Sequence, residues 1–487
     1  MVFDKPRLVI AALCGGAGKT FVSLGVAAAW RLFHEKRVVP FKKGPDYIDA
    51  GWLSLAAQLP CYNLDPFLMP PEEMLRSFVH RSSRGDVSLI EGNRGLYDGV
   101  DVQGSFSTAE LAKLLRAPVV LVLDATKVTR TAAALVLGCQ QLDPDVYIAG
   151  VILNRVAGRR HEDVLRGAIE RYCRVPVLGV IPREKQNLFP ERHLGLVPHQ
   201  ESDHCQEAMG LAARRIEEYV DTAELWNVAR SAGILGWPAP SAGRGTEERA
   251  REQVVIGVVR DSAFQFYYPE NLEALAERGA VLKEISSFKD RPLPDVDALY
   301  IGGGFPETHL NVLAGNKVFR ESLRESVEAG LPVYAECGGL MFLCRGIRHQ
   351  SSIYPMAGVF PYDVVLEARP QGHGYTVLQC VRDNPFFEHG GRFLGHEFHY
   401  SRIVEVPRDT SFVFRLEKGY GIVDGWDGLC YKACLAGYSH IHAVGNSQWA
   451  RSMILAARNY RAARLGLLDR TVDPGRGVSD TSEYLTV

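Results

Sequence analysis

Short apolar runs of strand length recur through the first half of the chain at Arg7–Leu13, Arg37–Phe41, Val87–Glu91, Pro118–Asp124, Tyr147–Leu153 and Val177–Ile181. Stretches of helical periodicity separate them. Alternation of this kind predicts a mostly parallel, doubly wound α/β sheet. A mainly helical stretch from Ser202 to Arg230 then gives way to a Gly/Pro/Ser/Ala-rich segment beginning at Ser231, the composition of a linker. A second α/β pattern starts at Val254–Val259 and continues through Ala298–Ile301 to Leu331-Pro-Val-Tyr-Ala-Glu-Cys337. Strands are expected around Gly358–Leu366 and Gly374–Val381, and a closing helix from Ser447 to Leu465. The organisation read from the sequence is therefore a domain over 1–230, a linker over 231–252, a second domain over 253–466 and a polar tail over 467–487, with no short internal repeat.

Composition narrows the class. The 487 residues are 46% hydrophobic and carry a formal net charge of -2, which fits a soluble globular chain of two or three domains and argues against a general nucleic-acid binder. The N-terminus lacks the basic, apolar and small-residue order of an export signal, and the longest apolar runs are too short to span a membrane. The expected location is the cytoplasm. Ten cysteines in so long a chain fit free thiols in a reducing compartment, and Cys430 and Cys434 lack zinc-ribbon spacing.

Two segments carry candidate chemistry. Leu8–Leu13 leads into Cys14-Gly15-Gly16-Ala17-Gly18-Lys19-Thr20 and then a helix, the context of a phosphate loop. There the backbone N–H groups of small residues converge on a polyphosphate, Lys19 neutralises its terminal oxygens, and Thr20 ligates Mg2+. Leu13 stands where the usual pattern has its first glycine, so the loop is a variant. Glu91, emerging at the end of a strand, is a natural magnesium partner. Asn154 is placed to read an adenine edge, with a plain turn asparagine as the competing explanation. After the second strand, Phe41-Lys42-Lys43-Gly-Pro-Asp46-Tyr-Ile-Asp49 sets two lysines that can grip an acidic substrate beside two carboxylates that can hold metal or steer ammonia; a solvated charged turn is an equal reading.

The second segment is the elbow at Cys337, where a buried strand ends in a cysteine followed by Gly338 and Gly339. Backbone strain would fix the sulfur's direction, and the following helix N-terminus would favour its thiolate. A buried structural cysteine is the alternative.

In combination these residues resemble the cobyrinate a,c-diamide synthase family: an ATP-dependent amidoligase domain related to dethiobiotin synthetases, joined to a class I, triad-type glutamine amidotransferase domain. The resemblance runs from about residue 7 to 465. It rests on Gly44-Pro-Asp-Tyr-Ile-Asp49, Glu91-Gly with Gly95-Leu-Tyr-Asp98-Gly, Glu191-Arg-His-Leu-Gly-Leu-Val197 and Asp261-Ser-Ala-Phe-Gln-Phe-Tyr-Tyr268. The second half adds Gly302-Gly-Gly-Phe-Pro-Glu307, Ala335-Glu-Cys-Gly-Gly-Leu-Met341, Gly395-His-Glu-Phe-His-Tyr-Ser401 and Gly437-Tyr-Ser-His440-Ile-His442.

The resemblance implies that Cys337 attacks glutamine with His440 as its base, and that backbone N–H groups near Gly303 and Gly338 hold the oxyanion. Many glutaminases of this class place a glutamate two residues after the histidine; here His442 stands there, which leaves the orienting partner of His440 open. The N-terminal domain would use ATP and Mg2+ to convert a carboxylate into an acyl phosphate. The implied acceptor is a tetrapyrrole polycarboxylate, amidated on its a and c acetates. Lys42, Lys43, Arg94 and either Arg130 or Arg155 are candidate clamps, with Asp46, Asp49 and Asp98 in the same substrate region. Lys43 and Asn93-Arg94 carry more charge than the corrinoid enzymes are expected to show, which keeps amidation of siroheme or of (nickel) sirohydrochlorin as an alternative. A partition-type ATPase switch is disfavoured, because Cys14 occupies the place of that group's second lysine. A homodimer is compatible with the resemblance, and neither nucleic acid nor membrane is an expected partner.

Overall fold

The computed structural model describes residues 2–183, 189, 191–192, 195–201, 204–236 and 253–466. The chain divides into two compact units, 1–240 and 241–487.

In the first unit seven parallel strands form one sheet, in the order Tyr62–Leu64, Val38–Lys43, Val87–Glu91, Arg7–Ala12, Val119–Asp124, Ile148–Val156, Val177–Pro182. The six strands expected from the sequence are present, and the short Tyr62–Leu64 strand joins them at the edge. Near-continuous burial of the strands explains their unbroken apolar runs, since both faces are covered. The helix Lys19–Phe33 packs against Cys205–Tyr219, buried through Val22, Leu24, Val26 and Trp30 on one side and Met209, Ala212 and Ile216 on the other. Gly25 makes their approach feasible: a Cβ there would lie 2.3 Å from Ile216 Cγ1.

The helical stretch after Ser202 divides into Cys205–Tyr219 and Thr222–Arg230. The start of the expected linker needs correction. Leu235–Gly236 pairs antiparallel with Val2–Phe3, Gly233 N–H donates to Arg116 O at 3.0 Å, and the buried Arg7 guanidinium donates to Gly233 O. Residues 231–236 thus belong to the first unit's fabric, because their backbone groups are used. The remainder of that segment, 237–252, and the tail, 467–487, lie outside the described residues.

The second unit is built on a ten-stranded mixed sheet. Its parallel part runs Ala280–Ile285, Val254–Val259, Ala298–Ile301, Val333–Glu336, Cys434–Gly437, and antiparallel strands extend it through Trp426–Tyr431, Phe412–Lys418, Gly372–Cys380, Arg392–His399 and His440–Ile441. A separate four-stranded sheet holds Cys344–His349, Ser352–Pro355, Phe360–Leu366 and Ser401–Val404. The closing helix, Ser447–Arg464, buries Trp449, Met453 and Ala457 against the larger sheet. None of the described helices is long and apolar enough to cross a membrane.

Candidate functional site

The central strand Arg7–Ala12 delivers the glycine loop to the C-terminal edge of the sheet, where strand order reverses and ligands of such folds bind. Gly16 (φ 75°) and Gly18 (φ 96°) take left-handed backbone conformations, and the helix beginning at Lys19 has no side-chain cap, which leaves its first N–H groups available to an anion. Nothing lies within 4 Å of where a Gly15 Cβ would stand, so the space above that residue is open. Lys19 bridges two loops, donating to Cys14 O at 3.3 Å and Arg94 O at 2.7 Å. Burial lowers its pKa, which readies it for a compensating negative charge.

Asn154 uses its amide to tie backbone segments together. Its Nδ2 donates to Ala17 O at 2.9 Å and its Oδ1 accepts from Arg155 N–H at 3.0 Å, and a Cβ on Gly18 would lie 2.2 Å from Nδ2. The side chain braces the phosphate loop. Its sequence position at a strand end was visible, but which backbone it would touch was not.

Lys42 also differs from expectation. Its ammonium is not free to clamp a substrate: it lies 2.6 Å from Asp49 Oδ2, 2.8 Å from Glu91 Oε1 and 3.8 Å from Asp46 Oδ2, with the side chain 2% exposed. Burial alone would lower its pKa, but Asp49, Glu91 and Asp46 outweigh that and hold it well above the usual lysine value. One ammonium among three carboxylates leaves an acid excess. Accordingly burial, followed by the charge of Asp49, pushes Asp46 up to about 7, and burial raises Glu91 as well. Lys43, one residue on, is different. It is 6% exposed, burial lowers its pKa against the pull of Asp65, and among the described residues its ammonium has no hydrogen-bond or ion-pair partner.

The exposed Arg94 (φ 51°) neighbours Lys43 electrostatically. Asp98 closes a turn, its Oδ2 accepting from Gly95 N–H at 2.8 Å. Asp124 likewise accepts from Thr126 N–H at 2.8 Å and pairs with Arg155.

A magnesium ion fits this corner. Thr20 Oγ1 donates to Glu91 Oε1 at 2.8 Å, while Glu91 Oε2 is buried with no hydrogen-bond partner among the described residues. No cluster of three His, Cys, Asp or Glu among the described residues forms a closed metal cage. Mg2+ takes one or two protein donors and completes its shell with phosphate oxygens and water.

In the second unit the elbow forms as the sequence suggested. Cys337, at φ 48° and ψ −99°, ends the strand Val333–Glu336 and precedes the helix Gly338–Leu343. Its N–H donates to Gly437 O at 2.8 Å on the neighbouring strand and its carbonyl accepts from Met341 N–H at 3.0 Å. A Cβ on Gly338 would lie 2.9 Å from Gly304 N, and one on Gly339 2.5 Å from Ile301 O, so the elbow and the Gly302–Gly304 loop approach closely only because both are glycine. The expected lowering of the thiol pKa by the helix does not prevail. Burial and the charge of Glu307 push the Cys337 thiol up, and the opposing hydrogen bond from Gly338 N–H is outweighed, so the resting group is a thiol that needs a base.

His440, the base expected from the sequence, lies against the same glycine loop. It is buried, its Nδ1 lies 3.3 Å from Glu336 Oε2, its ring stacks on His396 at 5.0 Å and 20°, and a Cβ on Gly303 would lie 2.6 Å from its Cε1. Gly303 therefore makes room for the imidazole, while its carbonyl accepts from Gln265 and Phe266 N–H groups at 3.0 Å each. Burial, then the neighbouring His440 and His442, depress the His396 pKa well below the usual histidine value, which keeps the stacked ring neutral.

Sequence reading missed the residues that hold the His440 turn. Asp427 accepts from the N–H groups of Tyr438 and Ser439 at 2.9 Å each. Asn271 accepts from Ala443 N–H at 2.7 Å and donates to Ile441 O at 3.0 Å. A signal existed for Glu336: a carboxylate at the end of an otherwise apolar buried strand needs partners.

Comparison with known proteins gives two family matches. Residues 8–197 match the CobQ/CobB/MinD/ParA nucleotide binding domain, and residues 255–448 the CobB/CobQ-like glutamine amidotransferase domain. A protein of Magnetococcus marinus named cobyrinate a,c-diamide synthase is 42% identical over 92% of this chain and 97% of its own length. One of the same name from Archaeoglobus fulgidus is 39% identical over 93% of this chain and 98% of its own. Among solved structures, a glutamine amidotransferase aligns with 42% of this chain and 98% of its own at 21% identity and TM-score 0.32.

Proposed function

This chain belongs to the cobyrinate a,c-diamide synthase family, and from that premise we propose that it amidates the a and c acetate arms of cobyrinate, using ATP for activation and glutamine for nitrogen. The observation that carries the reading is the presence in one chain of two complementary sites: a glycine loop with Lys19, Thr20 and Glu91, and a strained Cys337 elbow beside His440.

In the glutaminase unit Cys337 Sγ attacks the side-chain carbonyl carbon of glutamine while His440 takes the thiol proton. The tetrahedral oxyanion is held by backbone N–H groups around Gly303 and Gly338. His440 then returns the proton to the departing nitrogen, ammonia leaves, and water hydrolyses the thioester to glutamate. In the N-terminal unit the loop N–H groups and Lys19 hold the triphosphate. Thr20 and Glu91 would hold Mg2+, which would neutralise phosphate charge. An oxygen of the acceptor carboxylate attacks the γ-phosphorus, ADP leaves, and ammonia displaces phosphate from the acyl phosphate to give the amide. Lys43, with its unpartnered ammonium beside Arg94, is the cation best suited to receive the acceptor's carboxylate arm.

That pair of cations also favours a second acceptor, siroheme or sirohydrochlorin, whose arms are carboxylates too. The decisive experiment incubates the chain with ATP, Mg2+, glutamine and each acceptor separately, and counts by mass spectrometry how many OH groups become NH2. Amidation of cobyrinate at two positions is expected, and unchanged masses for every acceptor would refute the amidoligase reading. In the same assay Cys337→Ala should lose glutamine-driven product yet respond to ammonium salts, whereas Lys19→Ala should lose both.

A further inference from the structure

We propose that Glu336, the residue directly before the nucleophile, is the positioning residue of His440, a role this chain's His442 does not fill. The inference rests on the glutaminase reading of Cys337 and His440.

His442 is turned elsewhere. Its Nδ1 accepts from Val444 N–H at 3.2 Å, and its Nε2 faces Glu270 Oε2 at 3.6 Å in fully buried surroundings. Glu336 instead meets His440 Nδ1 through Oε2 at 3.3 Å, a length that tightens readily once substrate is bound. The carboxylate cannot swing away. Oε2 also accepts from Tyr300 OH at 3.0 Å, and Oε1 accepts from Tyr334 OH at 3.1 Å and from Ile441 N–H at 3.2 Å. The two tyrosines are cross-strand partners on adjacent parallel strands, so the sheet itself aims their hydroxyls at one carboxylate. Ile441 follows His440, so Glu336 grips both the ring of the base and the backbone beside it.

The chemical consequence concerns the tautomer. With Nδ1–H donated to Glu336, the lone pair of His440 lies on Nε2, on the ring edge that faces the Gly303 loop. When the Cys337 proton moves from Sγ to Nε2, the imidazolium that forms already faces a buried anion. Glu336 and His396 both lie against the ring, with Tyr300 and Tyr334 behind the carboxylate. Because Glu336 and Cys337 are successive residues, a single strand end sets the base relative to the nucleophile. A glutamate two residues after the histidine would reach the ring from the histidine's own strand; this chain reaches it from the nucleophile's.

The test compares glutamine hydrolysis by the full-length chain, Glu336→Gln, Glu336→Asp, Glu270→Gln and Tyr334→Phe, together with the pH dependence of Cys337 alkylation by iodoacetamide. Glu336→Gln should lose kcat by roughly 100-fold or more with KM changed little, and should slow alkylation near pH 7, because a neutral amide neither fixes the tautomer nor stabilises the imidazolium. Glu336→Asp should recover part of kcat, and Glu270→Gln should cost far less than Glu336→Gln. A folded Glu336→Gln with kcat and alkylation profile like wild type, or a larger kcat loss in Glu270→Gln, overturns the inference. Should Glu336→Gln fail to fold, Tyr334→Phe decides: a lowered kcat at unchanged KM supports the role, and wild-type kcat overturns it. If the wild-type chain itself hydrolyses no glutamine, the glutaminase reading falls first and the inference with it.

Discussion

The ammonium of Lys42 lies 2.8 Å from Glu91 Oε1, both side chains are essentially sealed from solvent, and the same Glu91 oxygen accepts from the hydroxyl of Thr20 at 2.8 Å. A strand-end lysine and a strand-end glutamate from neighbouring parallel strands thus meet directly beside the phosphate loop, in register as Lys42↔Glu91. The pairing makes this lysine part of the framework beside the phosphate loop.

Lys42→Met should therefore destabilise the first unit by about 3–5 kcal/mol, since it strands buried carboxylates without their counter-charge. Lys43→Met should leave stability within about 1 kcal/mol and instead raise the KM for the acceptor roughly tenfold, the loss of one charge-assisted hydrogen bond. Denaturant midpoints and acceptor titrations on the two variants separate the roles, and an equal stability loss in both would show the distinction to be wrong.

Stability of the first unit should fall as pH rises from about 4 to about 7. Asp46 is pushed up to about 7 by burial and by Asp49, so in that window the folded chain keeps a proton that the unfolded chain has released. The loss is absent below the ordinary carboxylate range and complete above about 7, where folded and unfolded chains have both released the Asp46 proton. Glu91, raised in the same direction, adds to it, and Lys42 stays charged throughout. Asp46→Asn should flatten the slope, measured as thermal midpoint against pH in ligand-free protein.

Asn154→Ala should weaken ATP binding by roughly tenfold without relaxing the preference for ATP over GTP, because the hydrogen bond that is lost supports the loop at Ala17. Binding of both nucleotides by calorimetry checks this. A selective gain for GTP would restore the adenine-reading role suggested by its strand-end position.

The two α/β units, their strands and the strand–loop–helix context of the glycine loop were legible in the sequence, because buried parallel strands are written as unbroken apolar runs and a phosphate loop needs its glycines and lysine in order. The elbow at Cys337 was legible for the same reason: it is a local device, a strand, a strained residue and two glycines in succession. Its protonation was not local. Burial and Glu307, from a different loop, outweigh the short helix that follows.

Which residue types stand at the ends of which strands can be read from the amino-acid order. Which of them meet is set by how the strands are packed side by side. Lys42 was paired by a neighbouring strand's Glu91, Asn154 was drawn to the phosphate loop at Ala17, and His440 was met by Glu336, a residue 104 positions earlier. Parallel strands adjacent in the sheet are far apart in the chain, so contacts across their ends leave no periodic trace in the sequence.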